Sequence, residues 1–176
     1  MIAIMSALSA LFPKSRLRTL RTGGTLFRRD ETVTSIFWLV AGSMALERPL
    51  KDGTPLTLHI AGANTLLAEA SLFSDSYHCD GVAKEHSTVA SLDRTSFRTA
   101  LQAEPDVLLS LLAQQASEVQ RHRTRIEIIR MRRLSDRLDA WLELHGPPAQ
   151  GGWKAVADTI GVSPAALYRE LAKRRR

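Results

Sequence analysis

A change of hydrophobic period near residue 105 constrains the fold of this chain more than any other feature. Residues 106–130 contain neither Gly nor Pro, and their apolar side chains recur every three or four positions, which predicts one long helix over 105–130. Seven positions form a heptad seam: Leu108, Leu112, Gln115, Val119, His122, Ile126 and Ile129. A second copy of the chain is the simplest partner for this seam; packing of the helix on its own domain is the alternative.

Residues 22–92, which precede the helix, have the pattern of short strands and turn residues that is typical of an antiparallel β domain. Short runs of aromatic and branched residues end at Gly or Pro. The Lys-Asp-Gly sequence at 51–53 predicts a hairpin turn, because Asp-Gly readily adopts positive φ. After it, we expect Leu56, Leu58 and Ile60 to share one face of a strand. Many short strands joined by tight turns indicate a sandwich or jelly roll.

The last residues, 153–176, have the pattern of a helix-turn-helix that ends in a basic run. Gly161 supplies the turn, and Ser163 is predicted to cap a second helix that begins at Pro164. A helix with short side chains at its start and cations further along suits a DNA major groove. Our DNA-contacting candidates are Ser163, Ala165, Tyr168, Arg169, Lys173, Arg174 and Arg175. The alternative is an ordinary helical hairpin with a solvated basic end.

Composition favours a DNA-binding protein over an enzyme or a membrane protein. The formal net charge is +6, and Lys and Arg outnumber Asp and Glu by 13 to 9 over residues 101–176, which favours a polyanionic partner. There is no G-x-S-x-G, H-E-x-x-H, P-loop or C-x-x-C motif. The apolar first twelve residues lack a basic segment and a cleavage site, so we predict a packed N-terminal helix in a cytoplasmic protein.

The order of β domain, long helix and helix-turn-helix resembles the CRP/FNR family of bacterial transcription regulators. Residues 23–46 are similar to the early strands of that family, with Gly42 in the usual turn. Residues 66–83 take the place of its phosphate-binding cassette. Residues 104–115 are similar to the start of its dimerisation helix, and residues 131–133 fall at its interdomain hinge.

This resemblance implies an α+β chain in three parts. Residues 1–104 would be a sensor domain of the cyclic-nucleotide-binding type, a double-stranded β-helix or jelly roll. Residues 105–130 would be the dimerisation helix, and residues 131–176 a winged-helix-like helix-turn-helix domain whose wing is absent or truncated. The implied partners are a palindromic DNA operator, a second copy of the chain and, as a further candidate, RNA polymerase. No enzymatic activity is implied.

The cassette departs from the cyclic-AMP-binding members of the family. Glu69 matches their ribose-binding Glu, but Ala68 replaces a Gly, and Cys79 and Asp80 replace the Arg-Ser pair that holds the phosphate. A phosphate is best held by a bidentate guanidinium, so we do not expect cyclic AMP to bind by the family mode. The effector-pocket candidates are Glu69, His78, Cys79, Asp80, His122 and Arg123, the last two at adenine-contacting positions. We predict no metal and no cofactor.

Two further readings stay open. Some relatives sense gases or redox state through haem or an iron–sulfur cluster. One cysteine is too few for a cluster, but His78, Cys79 or His122 could ligate haem. Cys79 could also act as a thiol switch if its pKa were low and its sulfur exposed. A free cysteine beside a surface histidine is the simpler interpretation. The chain could also be an effector- or partner-binding module that has lost sequence-specific DNA binding.

Overall fold

The structure is a computed structural model that describes residues 7–12 and 16–174. The chain divides into two compact units, Met1–Leu112 and Ala113–Arg176, which we call the N-terminal unit and the C-terminal unit. The strands of the N-terminal unit are β1 (Leu17–Leu20), β2 (Thr25–Phe27), β3 (Ser35–Ala41), β4 (Ser43–Pro49), β5 (Pro55–Gly62), β6 (Thr65–Leu67), β7 (Asp80–Ala83) and β8 (Ser87–Asp93).

These strands form two four-stranded antiparallel sheets, in the orders β1-β8-β3-β6 and β2-β7-β4-β5. Apolar side chains of both sheets, such as Leu39 and Val89 of the first and Met44 and Ala61 of the second, share one buried core. A double sheet with this strand order is a jelly roll. The predicted fold class, an α+β chain with an N-terminal β-roll and C-terminal helices, is confirmed.

The hairpin between β4 and β5 follows the predicted turn at residues 51–53. Gly53 has φ +82, and its N–H donates to the Leu50 carbonyl at 3.0 Å. The Leu50 N–H in turn donates to the Thr54 carbonyl at 2.9 Å. The Asp-Gly signal for this turn was therefore sufficient.

The side-chain alternation along β5 differs from the prediction because the strand contains a β-bulge. One extra residue, Leu58, interrupts the ladder, so that Ile60 lies opposite Ala45 while Leu56 lies opposite Arg48. Positions 45 and 48 are an odd number of residues apart on β4 and so lie on opposite faces of the sheet. The prediction that Leu56, Leu58 and Ile60 share one face is therefore wrong, because a bulge shifts the alternation by one residue.

The predicted N-terminal helix is helical at residues 7–10, where Leu8 is fully buried. Phe12, just after this turn, packs its ring 6.2 Å from Trp38 and 5.8 Å from Phe97, measured between ring centroids. Residues 1–6 of the predicted helix lie outside the described residues.

The helices are α1 (Arg94–Ala103), α2 (Pro105–Arg130), α3 (Leu134–His145), α4 (Trp153–Thr159) and α5 (Pro164–Arg174). The long helix α2 has the predicted bounds. Its first turns bury Val107 and Leu111 in the N-terminal unit, and its last turn buries Ile128 in the C-terminal unit. Among the described residues, no helix combines the length and the apolar character that spanning a membrane requires.

Candidate functional site

The predicted helix-turn-helix consists of α4, a turn at residues 160–163, and α5. Gly161 has φ +69, a left-handed conformation that a Cβ would strain. Ser163 caps α5, since its Oγ accepts a hydrogen bond from the Ala166 N–H at 3.2 Å. Pro164 is the first residue of the helix, where a missing N–H costs nothing. All three local predictions are confirmed.

The inner face of this motif packs into a small apolar core in the C-terminal unit. Its buried side chains are Ile128, Leu138, Val156, Ala157, Ile160 and Leu167. The Val162 N–H donates to the Ala157 carbonyl at 3.0 Å, which closes the turn between the helices. Because Leu167 is fully buried, the rotation of α5 about its own axis is fixed.

The opposite face of α5 presents the exposed residues Ala165, Tyr168, Arg169 and Lys173. The Arg169 Nε donates a long hydrogen bond of 3.4 Å to the Ala165 carbonyl. Within residues 7–12 and 16–174, no carboxylate forms an ion pair with Arg169 or Lys173. Both cations are therefore available to an anionic partner.

Arg174, a predicted DNA contact, is engaged within its own unit. Its guanidinium forms ion pairs with Asp139 and Glu170 and donates to the Ser135 carbonyl at 3.1 Å. These partners, the hydrogen bond to Asp139 first, raise the pKa of Arg174. The neutralised charge of Arg174 does not suit a phosphate contact. Arg175, the neighbouring predicted contact, lies outside the described residues.

The sequence reasoning missed the roles of Arg125 and Arg137, which donate hydrogen bonds to backbone carbonyls of residues 158–161. A signal for Arg137 was present, because this charged residue lies three positions after Leu134 and four before Trp141, on the apolar face of α3. A cation on such a face indicates a buried acceptor.

Residues 66–83, the cassette-like segment, include a 3-10 helix, Glu69–Ser71. Ala68, at the position of the expected Gly, has φ +67, a conformation that costs a residue with a Cβ about 1–2 kcal/mol. Glu69 follows and is half-buried. Burial raises the pKa of the Glu69 carboxyl, and a hydrogen bond from its own backbone N–H opposes this effect in part.

Cys79 lies in the core of the β-roll with 1% of its surface exposed. The pKa of Cys79 is raised to about 11, first by burial and then by the charges of Asp80 and Glu69, while Arg48 opposes them in part. A buried, protonated thiol has neither property that a thiol switch needs, so the structure argues against that interpretation. The Asp80 Oδ1 accepts a hydrogen bond from the Arg29 N–H at 2.6 Å.

His78 is exposed, but both its ring and its backbone carbonyl form hydrogen bonds. Its Nδ1 lies 3.0 Å from the Ser71 Oγ, and its carbonyl accepts a hydrogen bond from the Arg48 Nη2 at 3.2 Å. Burial of the ring and then the Arg48 charge lower the pKa of His78, which favours the neutral imidazole. Arg48, which sequence reasoning also missed, thus brings a cation close to Cys79. Haem ligation by His78, Cys79 or His122 stays an alternative to the prediction of no cofactor, and neither is tested by these contacts.

The other two pocket candidates, His122 and Arg123, belong to the C-terminal unit and are exposed on α2. The His122 Nε2 lies 3.9 Å from the Glu118 Oε2, and Glu118 also pairs with Arg121. These contacts place both candidates on a charged stretch of the helix surface.

The predicted seam of α2 is largely uncovered. Leu108, Leu112, Val119 and Ile126 are exposed, with exposed fractions between 43% and 62%, and His122 is exposed as well. Gln115 and Ile129 are half-buried. Ile129 contacts its own unit, because a Cβ at Gly161 would lie 3.4 Å from the Ile129 Cγ1. Among the described residues, the apolar side chains of the seam thus remain exposed up to Ile126.

Comparisons with known proteins bear on both units. Residues 17–104 match the family model described as the cyclic nucleotide-binding domain. Over 98 residues the chain is 28% identical to the cAMP-activated global transcriptional regulator CRP of Haemophilus influenzae, an alignment that covers 54% of this chain and 44% of that protein. The chain thus spans less than half the length of this curated relative.

Two solved structures share the fold over nearly the whole chain. The structure of CprK in complex with OCPA has a TM-score of 0.71 at 19% identity, covering 98% of this chain and 82% of CprK. The c-di-GMP responsive global regulator CLP of Xanthomonas campestris has a TM-score of 0.64 at 16% identity, covering 99% of this chain and 92% of CLP. At these identities the likeness concerns the fold alone.

Proposed function

Because the chain belongs to the cyclic nucleotide-binding domain family, in its CRP/FNR branch, we propose that it regulates transcription by binding a DNA operator as a homodimer. The observation that carries this proposal is the capped helix α5, whose buried Leu167 turns Arg169 and Lys173 outward without an ion pair among the described residues. The protein would act in the cytoplasm, with RNA polymerase as a further candidate partner.

In this proposal, α5 lies in the major groove. The Arg169 guanidinium would donate to the two acceptors of a guanine edge, next to Tyr168, which is 51% exposed. Lys173 would contact phosphate, and the short Ala165 would let the start of the helix approach the bases. Arg174 has no part in this proposal, because it is paired with carboxylates of its own unit.

The dimer would form along the exposed seam of α2. Leu108, Leu112 and Val119 leave an apolar stripe in water, and a parallel copy of the same stripe in a second chain would cover it. A two-fold dimer would place two α5 helices about one helical turn of DNA apart, which requires a palindromic operator.

The β-roll would sense an effector, but this effector would not be cyclic AMP bound in the way that the cyclic-AMP-binding family members bind it. Cys79 provides a protonated thiol instead of a guanidinium, and the Asp80 carboxylate is occupied by the Arg29 N–H. One relative is described as cAMP-activated, one structural neighbour as c-di-GMP responsive, and another as a complex with OCPA. These descriptions suggest that the fold accepts chemically different ligands.

The DNA proposal is tested by selecting preferred sequences from random DNA with wild type and Arg169→Ala. We expect a palindromic consensus that loses one specified position per half-site in the variant, with a loss of about 1–3 kcal/mol in binding free energy. Arg98→Ala, an exposed cation of the N-terminal unit, is the matched control. An absent consensus, with weak binding at every salt concentration, would favour a module that does not bind DNA.

The dimer proposal is tested by sedimentation of Leu112→Glu and Leu109→Glu. Both leucines are 62% exposed, but Leu112 lies on the seam and Leu109 does not. We expect Leu112→Glu to become monomeric, since it would bury a charge between two helices, and Leu109→Glu to remain dimeric. A monomeric wild type would overturn the proposal.

Calorimetric titration with cyclic AMP tests the effector proposal. We expect no binding in the micromolar range by wild type, and partial recovery in the double variant Cys79→Arg, Asp80→Ser. A micromolar affinity of the wild type for cyclic AMP would refute the proposal that the altered cassette excludes it.

A further inference from the structure

Four successive backbone carbonyls, those of residues 158–161, accept hydrogen bonds from two arginine side chains within the C-terminal unit. These carbonyls belong to the end of α4 and to the turn that leads into α5. The last carbonyls of a helix have no partner within the helix and carry its negative dipole end. A cation that donates to them therefore stabilises the helix end and fixes its position.

The first arginine comes from α2. The Arg125 Nη2 donates to the Asp158 carbonyl at 3.2 Å, and its Nε donates to the Thr159 carbonyl at 3.3 Å. Arg125 is five residues before the end of α2 at Arg130. The long helix thus holds the end of α4 directly.

The second arginine comes from α3. The Arg137 Nη1 donates to the carbonyls of Ile160 at 3.2 Å and Gly161 at 3.4 Å. Its Nε donates to the carbonyl of Met131 at 2.8 Å, in the short segment 131–133 that joins α2 to α3. One guanidinium therefore connects this joint to the turn of the helix-turn-helix.

The two arginines lie on either side of the joint at residues 131–133, and both donate to carbonyls of residues 158–161. A change of angle between α2 and α3 at this joint would move the two guanidiniums relative to the turn and so disturb the two-point geometry that each planar fork requires. The acceptors are uncharged carbonyls, so these bonds depend on geometry more than on salt.

We propose that Arg125 and Arg137 form a clamp that sets the position of α5 relative to α2 and thereby sets operator affinity. Both act as positioning residues in this proposal, because Nε and one terminal nitrogen of each guanidinium donate to backbone carbonyls. The effect on operator affinity rests on the proposed function; the effect on the turn does not.

Operator affinity is measured for Arg125→Lys, Arg137→Lys and their Gln counterparts. Lys keeps the charge but loses the fork, so we expect each Lys variant to bind the operator roughly tenfold more weakly. The Gln variants should weaken binding as much, while the slope of log affinity against log salt stays that of wild type. Arg121→Lys and Arg121→Gln, at an exposed arginine of the same helix, are the controls. Lys variants with wild-type affinity, or Gln variants whose slope falls by about one, would indicate phosphate contacts and overturn the clamp.

Hydrogen exchange of the DNA-free protein separates the clamp from the proposed function. The amides of Ile160 and Val162 donate within this turn, and we expect them to exchange about tenfold faster in the Lys variants than in wild type or Arg121→Lys. If exchange accelerates but wild type binds no DNA, the proposed function fails and the clamp stands. Unchanged exchange in both Lys variants would overturn the clamp.

Discussion

The two units hold their functional segments by different means: the cassette of the N-terminal unit rests on aromatic packing, whereas the turn of the C-terminal unit rests on arginines. Phe27 stacks on Tyr77 with ring centroids 4.5 Å apart. A Cβ at Gly81 would lie 2.7 Å from Phe27, so the start of β7 is pressed against this ring. The C-terminal unit has a smaller apolar core and uses guanidinium bonds to carbonyls instead.

This difference changes how the basic charge of the chain is interpreted. Arg125, Arg137 and Arg174 all lie in the half of the chain with the larger positive excess, and all three bind groups of their own unit. Their charges stabilise helix ends and helix contacts. Net charge alone therefore overstates the number of cations that can contact DNA.

The largest effect should come from removing part of the small core. Leu167→Ala, at a fully buried position, should destabilise the C-terminal unit by about 2–5 kcal/mol, so that this unit unfolds at a lower temperature than the β-roll. Thermal unfolding followed by circular dichroism should then show two transitions. Leu171→Ala, at a half-buried position, is the control and should cost less. A single transition in Leu167→Ala would mean that the units unfold together.

The second prediction concerns the packing around Cys79. Native protein should react with a thiol reagent at pH 8 at least about a hundredfold more slowly than protein unfolded in denaturant, because a pKa of about 11 in place of 9.0 leaves far less thiolate. The measurement is the rate of Ellman's reaction. Equal rates in native and unfolded protein would show that the β-roll opens easily and that Cys79 could serve as a sensor after all.

The third prediction separates a structural cation from a DNA-contacting cation on the same helix. Arg174→Ala should lower the stability of the C-terminal unit by about 0.5 kcal/mol, because its carboxylate partners are partly solvated, and should leave the salt dependence of DNA binding unchanged. Lys173→Ala should leave stability unchanged and reduce the salt slope by about one. The reverse pattern would restore Arg174 as the phosphate contact.

Local signals made much of this structure predictable. The bounds of α2, the cap at Ser163 and the turn at Gly53 depend on neighbouring residues, and the sequence contains all of those neighbours. The bulge at Leu58 depends on which residues of β4 pair with β5. The acceptors of Arg137 lie up to 24 residues away along the chain. Local hydrophobic periodicity can show that Arg137 lies on an apolar face, but it specifies neither a pairing register nor which distant carbonyl an arginine binds.

The smallest effect should be the pH dependence that Glu69 imposes on the β-roll. Because burial raises the pKa of this carboxyl from its usual 4.5, the folded state binds the proton more tightly than the unfolded chain. Well below pH 4.5, Glu69 is protonated in both states and does not lower the free energy of unfolding. Its ionisation lowers the free energy of unfolding as pH rises through the raised pKa. Glu69→Gln mimics the protonated form, so it should match wild type at low pH and exceed it at pH 7 by about 1 kcal/mol or less.

Urea unfolding from pH 4 to pH 8 measures this difference, and Glu85→Gln, at an exposed carboxylate, should show none of it. The same substitution should also speed the alkylation of native Cys79, because the Glu69 charge contributes to the raised pKa of that thiol. A Glu69→Gln variant that loses stability at pH 7 would show instead that the carboxylate has a stabilising partner. A charged side chain would then hold the cassette, as arginines hold the turn of the C-terminal unit.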